Sequence, residues 1–266
     1  MHILSHKNLK IETKKESKNV FIFHHNAGVW NSRLCFSWLS KILNKNQQII
    51  IISYHIKKLK KNRSKHSQFS NVFGSILKKL VEKNFVEILF KNEKNQSKKM
   101  KIKTKNLFMM CSSLGCSSAL TAMKNIKEEG IKIKNIPKIF VNPILGDSNG
   151  TKSLQLYGRG LWVSKYGLLK LLSLHYGLNL DQESRSLLFP LKFNETQIFS
   201  SPSLFFLSEF DINLDDSLHF ASKFSSKGKV VILQRTPHNV PYLDYFFDEQ
   251  FEIISKNIQK FLSFYK

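Results

Sequence analysis

Short apolar runs alternate with stretches of helical periodicity along most of this chain. Leu9 to Thr13 alternates apolar and polar residues and predicts a first strand. Val20 to Phe23 is continuous and β-prone, the pattern of a buried strand. From Trp30 to Leu43 the period lengthens, and Cys35, Trp38, Leu39 and Ile42 fall on one helical face. Ile49 to Ile52 predicts a central strand covered on both faces. Lys57 to Ser67 is basic and polar and reads as a loop. Val72 to Lys83 has a weak helical pattern, and Phe85 to Phe90 either extends it or forms an extra strand. Leu107 to Met110 is a further buried strand. Ala119, Ala122, Met123 and Ile126 mark a helix that stops at Gly130. Ile139 to Val141 is a strand closed by Asn142 and Pro143.

From about 146 to 200 the rhythm breaks, which predicts an insertion in a single domain spanning 1–266. Strands resume at Leu204 to Leu207 and end at Val230 to Leu233, with a helix over Asp216 to Phe224 between them. Phe247, Phe251, Ile254, Ile258 and Phe261 step by four and three along a last amphipathic helix. Strand and helix in repeated alternation predict an α/β fold with a mostly parallel central sheet and helices on both faces. In such sheets chemistry sits at the carboxyl ends of the strands.

Composition narrows the class. The formal net charge is +23, from 42 Lys and Arg against 19 Asp and Glu. Such a balance suits nucleic acid, an anionic membrane surface or acidic partners. However, the basic residues are scattered, and Lys, Asn, Ile and Phe are over-used together, as AT-rich coding produces. Nucleic acid is therefore not the expected partner, whereas a peripheral membrane contact remains open. Three cysteines, an odd number without framework spacing, argue against a secreted disulfide scaffold and for a reducing compartment. Neither a signal peptide nor a run long enough to span a membrane is evident, so an intracellular protein, cytoplasmic or peripheral to a membrane, is expected. No metal site and no cofactor are expected.

Three strand ends carry candidate chemistry. After Met110 comes Cys111-Ser112-Ser113-Leu114-Gly115, followed at once by a helix. A tight strand-to-helix turn needs small side chains two before and two after a nucleophilic serine, here Cys111 and Gly115. Ser113 is the candidate nucleophile, and the N–H of Leu114 faces the developing oxyanion. Ser117 fits the same pattern but falls one turn inside the helix, and Ser112 lacks the small neighbours. Strand 204–207 leads to Asp211, with Asp215 and Asp216 as alternative acids. Strand 230–233 leads to His238, whereas His219 falls inside a predicted helix. Ser113, Asp211 and His238 thus stand in the order nucleophile, acid, base. After Val20–Phe23, the amides of Asn26 and Ala27 are candidates for the second oxyanion donor.

On these residues the chain resembles the hormone-sensitive-lipase and acetyl-esterase branch of the α/β hydrolases. His25-Asn26-Ala27-Gly28 stands where that branch has His-Gly-Gly-Gly, and Ser53-Tyr54-His55-Ile56 loosely matches its Asp-Tyr-Arg-Leu. Cys111 to Cys116 corresponds to its Gly-Asp-Ser-Ala-Gly-Gly elbow, Asp211-Ile-Asn-Leu-Asp215 to its Asp-Pro-Leu-x-Asp, and His238 to its last histidine. The resemblance covers about 19–264 and implies an α/β-hydrolase fold with a cap at about 146–200. It also implies a serine carboxylic ester hydrolase acting on a hydrophobic or acetyl ester. Steryl acetyl hydrolases and kynurenine formamidases are relatives of this branch. Asn26 and Ala27 replace glycines of the oxyanion loop, so the alternative expectation is a catalytically silent binding protein on the same fold.

Overall fold

The computed structural model describes residues 19–24, 41–42, 47–52, 65–83, 85–91, 97–103, 106–131, 133, 136–160, 163–176, 189–193, 199–224, 227–238 and 248–264. The expected strand at 9–13, the loop 25–28, residues 53–56 and all but 41–42 of the helix expected at 30–43 lie outside these.

Strands β1 (Asn19–His24), β2 (Gln47–Ile52), β5 (Asn106–Ser113), β6 (Lys138–Pro143), β7 (Ser203–Phe210) and β8 (Gly228–Pro237) form one sheet. Its order is β2-β1-β5-β6-β7-β8, and every neighbouring pair is parallel. The carboxyl ends of all six strands therefore share one edge, and His24 is registered opposite Cys111 there.

Alternation along the strands divides the core. Phe108 and Met110 of β5, Ile139 and Val141 of β6, and Leu204 and Phe206 of β7 pack on one face. There they meet Ile254, Ile258 and Leu262 of the last helix, α6 (Asp248–Ser263). The intervening Met109, Cys111, Phe140, Phe205 and Leu207 pack on the other face. They meet helices α1 (Lys65–Lys83), α2 (Leu114–Glu128) and α5 (Leu214–Ser222). Side chains of successive strand residues point to opposite faces, so continuous apolar runs cover both. Phe140 and Phe205 stack at 4.5 Å, and Phe220 and Phe224 meet them edge-on.

A third apolar cluster sits at the carboxyl edge. Helices α3 (Lys152–Tyr157) and α4 (Lys165–Tyr176) and a 3-10 turn at Pro190–Lys192 lie between β6 and β7. Leu154, Leu168, Leu172, Tyr176 and Phe189 of this region pack with Leu114 and Ile212.

Some boundaries differ from the periodicity. The basic stretch read as a loop to Ser67 supplies the first turn of α1, which begins at Lys65. Phe85–Lys91 is a strand, β3, paired antiparallel with β4 (Ser97–Lys103), which the sequence reading passed over. Lysines alternate with Met100 and Ile102 in β4, so overall polarity hid a period of two. The helix expected from Asp216 starts two residues earlier, at Leu214. Cys111 and Cys116 are joined by a disulfide with Cα atoms 4.9 Å apart. The odd count and irregular spacing did not anticipate this bridge, because a single local closure needs no framework. No helix among the described residues is long and apolar enough to cross a membrane.

Candidate active site

Strand β5 passes directly into α2 at Ser113. A turn this abrupt forces the residue at its apex out of the ordinary backbone regions, and Ser113 has φ 50° and ψ −135°. A non-glycine residue pays about 1–3 kcal/mol for such a conformation and keeps it only where its surroundings over-determine it. Here the Ser113 carbonyl accepts from the Ile144 N–H at 3.1 Å, just beyond β6. Cys111 and Cys116 bracket the turn covalently. Cys111 and Gly115, the expected small positions, are both buried.

Three strand ends converge on one hydrogen-bonded chain. Ser113 Oγ lies 3.1 Å from His238 Nε2. His238 Nδ1 lies 2.6 Å from Asp211 Oδ2. All three residues are buried, with 5%, 2% and 3% of their surface exposed. Asp211 Oδ1 accepts from the backbone N–H of Asn213 at 2.9 Å and from its Nδ2 at 3.2 Å. Both carboxylate oxygens are thus held, and the imidazole is gripped from its Nδ1 side.

The competing residues have other partners. Ser117 donates to the Ile144 carbonyl. Asp215 accepts from the Ser153 N–H at 2.8 Å, at the start of α3. Asp216 accepts from the Ser148 N–H at 2.9 Å, and burial pushes its carboxyl above the usual range against that bond. His219 lies on the exposed side of α5. Of the three candidate acids, Asp211 is the one that meets His238.

Leu114 is the first residue of α2, so its N–H has no acceptor within the helix and belongs to the helix's positive end. His25, Asn26, Ala27 and Gly28 lie outside the described residues. Among the described residues, no group of three or more His, Cys, Asp or Glu could hold a metal ion.

Sequence reasoning passed over two further features. Asn213 and Ser148 extend the network behind Asp211, and Ser118 Oγ lies 3.2 Å from His175 Nε2 of α4. An Asn two residues after the acid was visible, but nothing in the sequence pairs it with a serine 65 positions earlier. A cavity of about 260 Å³ lies beside the third cluster, with Leu154, Leu168, Leu172 and Phe189 in its wall and Asp147 and Lys165 at its polar side. Ser113, Asp211 and His238 do not line it.

Solved structures share this arrangement of strands and helices. A carboxyl esterase from the mycorrhizal fungus Tuber melanosporum superposes with a TM-score of 0.71 at 10% identity, over 92% of this chain and 78% of that one. A thermostable esterase from Pseudomonas putida gives 0.68 at 15% identity, over 92% and 74%. A fungal esterase from Rhizomucor miehei gives 0.68 at 15%, over 94% and 75%. The chain has the α/β-hydrolase fold. No protein-family model matches the sequence, and no curated protein is significantly similar to it. Ser113 ends β5, Asp211 follows β7 and His238 follows β8.

Proposed function

We propose that this α/β-hydrolase-fold protein is a carboxylic ester hydrolase working through an acyl-serine intermediate. The observation that carries the reading is the buried chain from Ser113 Oγ through His238 to Asp211 Oδ2. His238 Nε2 takes the Ser113 proton as Oγ attacks the ester carbonyl. The imidazolium so formed is stabilised by Asp211 and returns the proton to the leaving alcohol. Water then attacks the acyl-serine, with His238 again the base. The Leu114 N–H, at the start of α2, faces the oxyanion. Asn26 and Ala27 are the candidates for the second donor.

The segment from about 146 to 200 acts as the cap. Leu168, Leu172 and Tyr176 of α4 pack in one cluster with Leu114, immediately beside the nucleophile. An apolar cluster so close to the reacting carbonyl favours a hydrophobic or acetyl ester, of which a steryl acetate is one example. Lys165 and Lys170 flank exposed Tyr166 and Leu169 on α4, which supports a peripheral contact with an anionic membrane surface.

The test is labelling by a fluorophosphonate probe together with turnover of p-nitrophenyl esters of increasing chain length and of a steryl acetate. Wild-type protein is expected to label and turn over, and Ser113→Ala to do neither. An intact fold without turnover on any ester identifies the silent binding protein instead. Turnover that survives Ser113→Ala removes Ser113 as nucleophile.

A further inference from the structure

Helix α5 begins at Asn213, and asparagine is among the best residues for capping a helix by accepting from the exposed N–H groups of the first turn. Here the side chain makes no such bond. It turns away from its own helix, and its two ends are engaged elsewhere. Nδ2 donates to Asp211 Oδ1 at 3.2 Å, and Oδ1 accepts from Ser148 Oγ at 2.9 Å. The amide has one sensible orientation, because the reverse would set its oxygen against a carboxylate. Asn213 and Ser148 are both fully buried.

Ser148 is unusual in its own right. It is a non-glycine residue at φ 55°, in the left-handed region. Its N–H donates to Asp216 Oδ2 at 2.9 Å, and its hydroxyl lies within donating distance of both Asn213 Oδ1, at 2.9 Å, and the same Asp216 oxygen, at 3.2 Å. A neutral amide and a neutral hydroxyl therefore separate two buried carboxylates, Asp211 and Asp216.

We propose that Asn213, oriented by Ser148, is a positioning residue that fixes the rotation of the Asp211 carboxylate and tempers its basicity toward His238. This rests on the triad reading above. With Oδ1 held by two donors from one residue, Oδ2 stays aimed at His238 Nδ1. The same donors draw charge away from Oδ2. Removing the side-chain donor concentrates charge on Oδ2 and strengthens its hold on the imidazolium. The ionisable groups on the packed elements include Glu209 of β7, Lys138 of β6, Asp215, Asp216 and His219 of α5, Lys229 and Arg235 of β8, Asp147 before α3, Lys152 and Tyr157 on it, and Lys192 of the 3-10 turn.

The test is the pH profile of kcat/KM on a soluble ester for wild type, Asn213→Ala, Asn213→Leu, Ser148→Ala and the Ser148→Ala/Asn213→Ala double variant. Asn213→Ala is expected to lower kcat about 10-fold with KM within about 2-fold, the scale of one lost bond to a charged group. Its acid limb moves up by about half a pH unit. Asn213→Leu keeps the approximate volume and lacks the donor, so its limb moves as in Asn213→Ala. Ser148→Ala moves it less in the same direction, and the double variant matches Asn213→Ala. Limbs that stay in place or move down in Asn213→Leu and Ser148→Ala, with fluorophosphonate labelling intact, overturn the proposal, whether or not Asn213→Ala folds. Loss of the Ser113 dependence of wild-type activity overturns the triad reading instead.

Discussion

Ser113 holds φ 50° because the elbow around it leaves no alternative, and Asp211 meets His238 because its second oxygen is occupied by Asn213. These two local facts set the residue-scale expectations. Asp211→Asn reverses the acceptor that fixes the His238 tautomer, and kcat should fall by about 10⁴-fold. Asp215→Asn retains an oxygen for the Ser153 N–H, and kcat should stay within about 3-fold of wild type. Steady-state kinetics on one ester separates the two acids that the sequence had left open. Gly146 supplies a second check. A Cβ there would collide with Asp216 Oδ2 and crowd Leu191 at 3.2 Å. Gly146→Ala should lower stability by about 1–3 kcal/mol in urea unfolding, since overpacking against a buried hydrogen-bonded carboxylate has no cheap relief.

At the scale of elements, the elbow is braced from several sides. β5 gives its backbone to β1 and β6, α2 buries its first seven residues, and the Cys111–Cys116 disulfide ties strand to helix across Ser113. Titration of unreduced, denatured protein should find one free thiol of three. Complete reduction should lower stability by about 2 kcal/mol, the chain-entropy scale for so short a loop, and Cys116→Ala protein should not respond to the reductant. Melting with and without a phosphine reductant reads this directly. The elements also differ in how legible they were. β5, β6 and β7 are buried on both faces, so continuous apolar runs announced them. β3 and β4 form a separate two-stranded sheet, and in β4 lysines alternate with apolar residues, so local polarity masked it. The start of α1 was lost for the same reason, because its first turn lies in a basic run.

At the scale of the molecule, a parallel sheet with helices on both faces brings six strand ends to one edge. Lys138 opens β6 at the opposite edge, fully buried, its Nζ donating to the Ile136 carbonyl at 3.2 Å and lying 6.0 Å from the Phe224 ring centroid. Burial pushes its ammonium down from 10.5 to about 7. Between those values the unfolded chain holds this proton and the folded chain does not, so stability from this group rises with pH across the window. Lys138→Met should be more stable than wild type at pH 7.5, and the gap should narrow by about 2 kcal/mol by pH 9, as chemical denaturation at the two pH values would measure. What the sequence determined by itself is the alternation of buried strands and amphipathic helices, and hence the parallel α/β class. It also determined that Ser113, Asp211 and His238 each follow a strand, because burial and turn chemistry are local properties. The tertiary structure decided which aspartate meets His238, which serine stands at the apex, and how Ser148 and Asn213 stand behind Asp211. Those choices depend on contacts between residues tens of positions apart, and only the sheet's register brings such residues within hydrogen-bonding distance.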